Sequence, residues 1–508
     1  MMKRFLFLLA FIPGILSAQG TNDRTALVIN GLDAVWSSSS NAAGLVLSPY
    51  SAFNVLDLRY AWQGGDYRPM QTGTDVSLFR FDTQGARQIG KVQVWGQFRY
   101  SNDTDKGSSY NTLLFDPFDE RFMYTAADTV AGIWKRQSYE MQFKAAIPIT
   151  PSLAAGLHVK YTDRIAAGQV DPRAELYHYS VLVKPAVAWK GGFGSLGLNG
   201  LYTNTFERTT PSISNTQVNQ KVFLLKGLGN WVGEQVGGGG LGTMYFRCDS
   251  WGGALQYAYE GNWKLFSELS WTHHSTRTTE TPTQPKLHGK TLRDEFMVSA
   301  GARFGGNGIL HRISAEASLA RTRGIEPTVI WNTAAGIWEV KTELEQCLFR
   351  TVSASLEYHG YKTEGDGYKA HWYAVLGFED KADSYASPAS MYFYDNIPLQ
   401  LGAEGNFSAG PGSLLLGASV RGSKNLRAGY SYSGHRAGTA PVRELYPHNL
   451  AVFSADRLQL SLSAEYAFPV SKGTSLAFCI EGTGLGALCG DYGNLYRIFA
   501  DGAVKLYF

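Results

Sequence analysis

The chain ends in IFADGAVKLYF, Ile498 to Phe508, and the parity of these eleven residues decides the fold. Every second position carries Ile498, Ala500, Gly502, Val504, Leu506 and Phe508, while the intervening set is Phe499, Asp501, Ala503, Lys505 and Tyr507. A helix gathers residues three and four apart on one face; a strand sends neighbours to opposite faces. An apolar row opposed by a mixed polar row therefore describes a strand with lipid on one side and a wet lumen on the other.

The same period of two runs through the chain. Leu56, Leu58, Tyr60 and Trp62 oppose Asp57, Arg59 and Ala61. Val92, Val94, Gly96, Phe98 and Tyr100 oppose Lys91, Gln93, Trp95, Gln97 and Arg99, and Tyr139, Met141, Phe143, Ala145 and Ile147 oppose Glu140, Gln142 and Lys144. It recurs from Leu153 to Tyr161, Tyr177 to Trp189, Leu255 to Tyr259, Trp263 to Trp271, Phe296 to Phe304, Ile313 to Leu319, Val352 to Tyr358, Trp372 to Phe378, Leu399 to Phe407 and Leu458 to Phe468. Repetition is what makes the alternation diagnostic.

The connections fall into two alternating classes. Tight reversals rich in Gly, Pro or Asn are expected at Asp82 to Gln88, Pro148 to Pro151, Lys190 to Gly194, Gly261-Asn262, Gly305 to Gly308, Gly410 to Gly412 and Pro469 to Thr474, with one more near 359–369. Long polar loops are expected at 101–133, 163–175, 207–250, 276–291, 322–343 and 434–455. Short turns on one rim and long loops on the other describe an all-β, antiparallel, up-and-down transmembrane barrel with its short turns periplasmic. Counting strands around the turns gives about 18, with 14 or 16 as alternatives. Thr328 to Val340 reads as a hairpin within an external loop, and Leu414 to Ser433 as one long strand or two. Trp62, Tyr100, Tyr161 and Trp271 end rising strands while Trp189, Phe304, Phe407, Phe468 and Phe508 end descending ones, as two interfacial girdles require.

Composition agrees. The 508 residues are 13% aromatic, include 57 Gly, and have a mean hydropathy of −0.17. No apolar run after the amino-terminal one is long enough for a spanning helix, whereas a barrel hides in average hydropathy because half its strand residues face water. Lys3 and Arg4, the apolar run from Phe5 to Leu16 and the small pair Ser17-Ala18 mark residues 1–18 as a secretory signal peptide. Removing it leaves 44 Lys and Arg against 43 Asp and Glu, with no basic footprint for nucleic acid. Residues 19–53 lack strand alternation and read as a lumenal plug or a periplasmic lead-in; 54–508 form the barrel.

The closing strand resembles that of Gram-negative outer-membrane β-barrels, in which Val504, Leu506 and the terminal Phe508 would be read by the barrel assembly machinery. The resemblance implies a multi-pass outer-membrane protein in contact with lipid, similar to the barrel families of unknown function. Asn41 to Leu45 is similar to the Asn-Pro-Ala-Gly-Leu element of the long-chain fatty-acid channel family, with Ala42 in place of the proline.

No sequence pattern assigns an enzyme. Gly237, Gly239 and Gly242 satisfy G-x-G-x-x-G without a βαβ context, and adjacent His273 and His274 point to opposite faces of a strand. No cofactor or metal site is expected. Cys479 and Cys489 either pair across the last loop or stay free. The lumen parity holds Asp57, Arg59, Arg99, Glu140, Lys144, Lys160, Glu260, Glu268, Arg303, Arg312, Glu316, Glu357, Glu404 and Glu465. Charges at membrane depth must face water or one another, so these either brace the wall or select solutes. The leading expectation is a passive channel for small solutes. The alternatives are a fatty-acid-channel-like transporter of apolar compounds and a scaffold docking a surface lipoprotein or secretion partner.

Overall fold

A computed structural model describes residues 23–508 except 112–113, 216, 218–219, 237–240 and 489–494. The signal stretch, Gly237, Gly239 and Cys489 lie outside the described residues.

The strands in chain order begin with β1 (Phe53–Gly65), β2 (Asp75–Ile89), β3 (Val92–Ser108), β4 (Thr125–Ala127), β5 (Gly132–Pro148), β6 (Leu153–Gly168), β7 (Arg173–Gly191) and β8 (Gly194–Ser212). They continue with β9 (Lys221–Gly227), β10 (Asn230–Gln235), β11 (Met244–Glu260), β12 (Lys264–Glu280), β13 (Lys286–Gly306), β14 (Ile309–Asn332) and β15 (Ile337–Glu364). The last are β16 (Gly367–Tyr385), β17 (Ser390–Ala409), β18 (Gly412–Tyr432), β19 (Arg457–Ser471), β20 (Thr474–Ala487) and β21 (Tyr496–Tyr507). Eighteen of them form one antiparallel sheet, and β4, β9 and β10 form a separate three-stranded sheet. The large sheet closes where β1 meets β21 in register from Val55↔Tyr507 to Gly65↔Arg497, so no strand edge faces lipid. Asn54 and Phe508 exchange both backbone hydrogen bonds at 2.7 and 3.0 Å, extending the seam to the last residue.

Parity holds as the alternation requires. Leu462 and Ile480 are each 68% exposed, and Leu58, Leu255, Leu269 and Phe296 are exposed on the same outer face elsewhere around the wall, an arrangement that only a lipid environment makes favourable. At the short-turn rim Trp263 stacks on Phe304 at 4.4 Å between centroids, and towards the opposite rim Tyr100 lies 5.1 Å from Tyr139. The barrel is an outer-membrane one, with short turns periplasmic and long loops extracellular.

Two sequence expectations need correction. Asp82 to Gln88 is not a turn: it lies inside β2, paired with β1 and β3, and the chain reverses at Gly90-Lys91. The polar residues that suggested a reversal belong to the lumen face, and Gly90, at φ +60°, supplies the left-handed conformation a tight turn needs. The segments 163–175, 276–291 and 322–343 are mostly strand, with connections only at 169–172, 281–285 and 333–336. There the strands rise beyond the hydrocarbon into water on both faces, and apolar alternation fades although the hydrogen-bonded ladder continues. Thr328 to Val340 is a hairpin continuous with the barrel wall, and Leu414 to Ser433 belongs to one strand apart from its last residue.

The described residues also hold three helices, α1 (Arg24–Asp33), α2 (Gly44–Leu47) and α3 (Tyr446–Ser454), with a 3₁₀ turn at Val35–Ser38 and a π turn at Pro441–Leu445. No helix among the described residues is long and apolar enough to cross a membrane.

Candidate functional site

The amino-terminal segment lies against the inner wall near the periplasmic rim. Asp23 caps α1 by accepting from the Ala26 amide at 2.9 Å, and Arg24 donates to Glu404 at 2.8 Å. Val28, Ile29 and Leu32 pack on Tyr361, Tyr368 and Leu415. At the end of α1, Arg303 binds both the Asp33 carboxylate and the Leu32 carbonyl. The Trp36 indole fills a recess made by Ala154, Ala186, Ala188 and Ala258, with Phe266 edge-on at 5.8 Å. Glu268 accepts from the Ser40 amide at 3.0 Å, Ser40 Oγ donates to Asn199, and Asn41 donates to Gln256 and to the Val187 carbonyl. Gly156 admits this segment: a Cβ there would fall on the Ala42–Ala43 backbone.

The extracellular mouth is covered by inserts folded back inside the wall. Loop 109–131 drives Tyr124 against Gly289 and Gly324, sets Phe122 edge-on to Phe246 at 5.9 Å, and gives its Phe115 amide to Glu207 at 2.8 Å. Its Glu120 binds Lys381 and Arg293 on the far wall. Burial alone would raise the Glu120 carboxyl, but these two cations hold it below the usual carboxylate range. Asp128, at the end of the same loop's short strand, has no cation beside it, and burial pushes its carboxyl up to about 7. From the second insert Lys226 meets Glu326 at 2.7 Å, while Tyr446 of α3 stacks on Tyr430 at 5.5 Å.

Between floor and roof lies a cavity of about 500 Å³ along β6–β8 and β11–β13. Ser40 and Glu268 mark its lower end, Phe115, Asp119 and Arg121 its upper end, and Lys160, Arg164, His178 and Lys184 its side. A second cavity of about 460 Å³ separates α1 from the wall, lined by Leu32, Arg303, Arg312, Glu316 and Glu357.

The predicted lumen charges fall mostly into compact groups. Arg59 bridges Asp57 at 3.3 Å and Asp501 at 3.0 Å. Arg99 binds Asp82 at 2.6 Å and approaches Glu140, which Lys160 also binds at 2.8 Å. Glu465 accepts from Lys505 at 2.9 Å, Tyr507 at 2.7 Å and the Cys479 thiol at 3.1 Å. Glu404 gathers Arg24, Tyr368 and His371, and His371 in turn meets His359 at 3.0 Å, beyond which lies Glu357. Lys144 lies over the Trp95 ring at 5.4 Å. Glu260 is exposed beside the 261–263 turn, and Glu316 faces the cavity beside α1. Val504 faces lipid, and Leu506 is half-buried on the same face.

Sequence reasoning missed Asp82 because it was read into a turn, and missed His158 and Lys184, which share the lumen parity of Lys160 and Ala186. It also missed the floor contacts of Arg24, Ser40 and Asn41, for which no periodic signal exists.

The chain matches the family described as "Family of unknown function (DUF6850)" over residues 42–508. No curated protein matches it. Among solved structures it is similar to the siderophore receptor PiuA from Acinetobacter baumannii, at 9% identity and a TM-score of 0.45 over 89% of this chain and 82% of that one. It is also similar to the FrpB iron transporter from Neisseria meningitidis, at 9% identity and a TM-score of 0.40 over 92% and 83%, respectively. The outer membrane transporter YddB from Escherichia coli matches at 8% identity and a TM-score of 0.40 over 89% and 80%. With 467 consecutive residues matched, from the floor segment to the closing strand, the chain belongs to the Family of unknown function (DUF6850) and is an 18-stranded outer-membrane β-barrel.

Proposed function

We propose that this barrel transports small polar solutes and is held closed at rest by its own amino-terminal segment below and its folded-in loops above. One observation carries the reading: a cavity of about 500 Å³ with charged walls lies between Ser40 and the Phe115–Phe122 stretch. A chamber bounded by two displaceable inserts suits a gated route better than a permanently open pore. Its Lys160, Arg164, Lys184 and Glu268 walls suit a polar solute better than the apolar cargo of a fatty-acid-like channel. The floor is held by a few hydrogen bonds and ion pairs plus one indole, contacts that can be exchanged as a unit.

The closed lumen and paired charges also support a second reading, a scaffold whose long loops dock a surface lipoprotein or secretion partner. Solute entry into proteoliposomes separates the two. Transport predicts that the chain lacking residues 23–52 admits succinate and small sugars several-fold faster than the full chain. A scaffold predicts no entry with or without the segment, even after loop 109–131 is excised.

A further inference from the structure

We infer that Lys144, His158 and Lys184 form a binding site for an oxyanion, a carboxylate or phosphate group, at the base of the main chamber. The inference rests on the transport reading for the solute's route and on wall geometry for its chemistry.

The three residues form one row across three strands. Lys144 is the register partner of His158, and His158 of Lys184, so the side chains sit directly opposite one another in β5, β6 and β7. All three point inward, because Phe143, Leu157 and Val187 on the opposite parity are exposed to lipid. Lys144 and Lys184 flank His158 from either side, so the row gathers two positive charges within about 10 Å, which costs stability unless something neutralises them. Elsewhere on this wall the neutralisation is present: Lys160, two residues from His158, is bound to Glu140. Among the described residues Lys144 and Lys184 form no ion pair, and the Lys144 ammonium lies over the Trp95 face.

His158 supplies the second observation. It is 9% exposed, and neither of its ring nitrogens has a hydrogen-bond partner. A buried imidazole with both nitrogens unpartnered carries an unsatisfied donor and an unsatisfied acceptor, an arrangement that native interiors avoid. An oxyanion at this point would accept from both ammonium groups and from the imidazole N–H together. Adjacent strands lie roughly 5 Å apart, so the two lysine backbones are about 10 Å apart, a span that two flexible ammonium stems close around one carboxylate or phosphate. Lys184 and Lys160 line the main chamber, which gives the row access from above. Ala42 and Ala43 lie against Gly156, the next inward position below His158, so the floor segment borders the site and an anion seated there would meet it. The nearby carboxylate, Glu268, offsets one of the two ammonium charges and leaves the row with one positive charge in excess.

The test is calorimetric titration of the full-length refolded protein in detergent with inorganic phosphate and, separately, with succinate, at fixed chloride. The expected result is single-site binding of at least one of them, weakened by about tenfold or more in Lys144→Met/Lys184→Met and left unchanged in Lys190→Met at the exposed end of β7. Heat-modifiable gel migration verifies that each variant is a folded barrel. If the double variant does not fold, Lys184→Gln alone is expected to weaken binding several-fold. Phosphate preference would indicate phosphorylated solutes, and succinate preference carboxylates. Binding of neither anion, or equal binding by wild type and variant, would overturn the site. Oxyanion binding by a protein that stays impermeable even when truncated would uphold the site and remove the transport reading. Solute entry without oxyanion binding would remove the site alone.

Discussion

Two stretches of the same inner wall handle charge in opposite ways. Along the closing seam, β19–β21 with β1 and β2, most lumenal charges are gathered into pairs, Glu465 with Lys505, Arg59 with Asp57 and Asp501, Asp82 with Arg99, while Arg80 stands directly across from Arg59. Along β5–β7, among the described residues, Lys144 and Lys184 form no direct ion pair, and the single carboxylate of Glu268 acts on both from a distance. Both stretches have the same parity, the same neighbours in lipid and the same antiparallel ladder. The seam spends its charges on one another and so holds the cross-section where the two chain ends meet; the other wall keeps an excess positive charge facing a chamber. The paired charges brace the seam, and the proposed oxyanion site rests on the excess of positive charge over the other wall.

The comparison is broken most severely at Glu465. Glu465→Ala leaves Lys505 and Tyr507 buried without their acceptor, and loss of one partner of a buried pair costs about 3–5 kcal/mol. Urea unfolding in lipid vesicles should show that loss. The next effect tests parity itself. Leu462→Arg, on the lipid face, should cost about 2–4 kcal/mol near mid-bilayer, whereas Ser463→Arg on the lumen face should cost roughly 1 kcal/mol or less. Equal tolerance at both parities in the yield of folded barrel would contradict the registers.

On the unbalanced wall the sign should reverse. Lys144→Met/Lys184→Met removes cross-strand repulsion and is expected to leave stability unchanged or raise it by about 1–2 kcal/mol, while weakening oxyanion binding. A loss as large as that of Glu465→Ala would mean that both walls are merely structural.

The smallest effect concerns the roof. Burial lifts the Asp128 carboxyl from its usual value of 3.8 to about 7, so the folded loop binds a proton that the opened loop releases. Its contribution to roof stability is therefore complete below about pH 4 and is lost as pH rises to about 7. Hydrogen exchange across 109–131 should be faster at pH 8 than at pH 5 after correction for intrinsic rates, and Asp128→Asn should flatten that difference.

Much of the wall was legible in the sequence because lipid imposes parity on every strand. Leu56 to Trp62 and Ile498 to Phe508 could be placed face by face, and they meet in the register that closes the barrel. Turns were legible wherever Gly, Pro or Asn stood between two alternating runs. The method failed at Asp82 to Gln88, where a polar lumen face imitates a turn, and at 322–343, where water on both faces erases the alternation. The floor and roof were illegible for a different reason. Arg24 meets Glu404 across 380 residues and Glu120 meets Lys381 across 261, and such contacts leave no periodic trace in either partner. Of the basic row only Lys144 stood out by parity; that His158 sits opposite it, and Lys184 opposite His158, depends on the stagger between strands.

The central claim is that the lumen is a route closed by its own inserts. Single-channel conductance in planar bilayers tests it most directly, comparing the full chain with one that lacks residues 23–52 and carries a short Gly-Ser linker in place of 110–130. The account predicts brief or no openings for the full chain and steady conductance, several-fold larger, for the truncated one. Equal conductance in the two, whether both open or both silent, would contradict it.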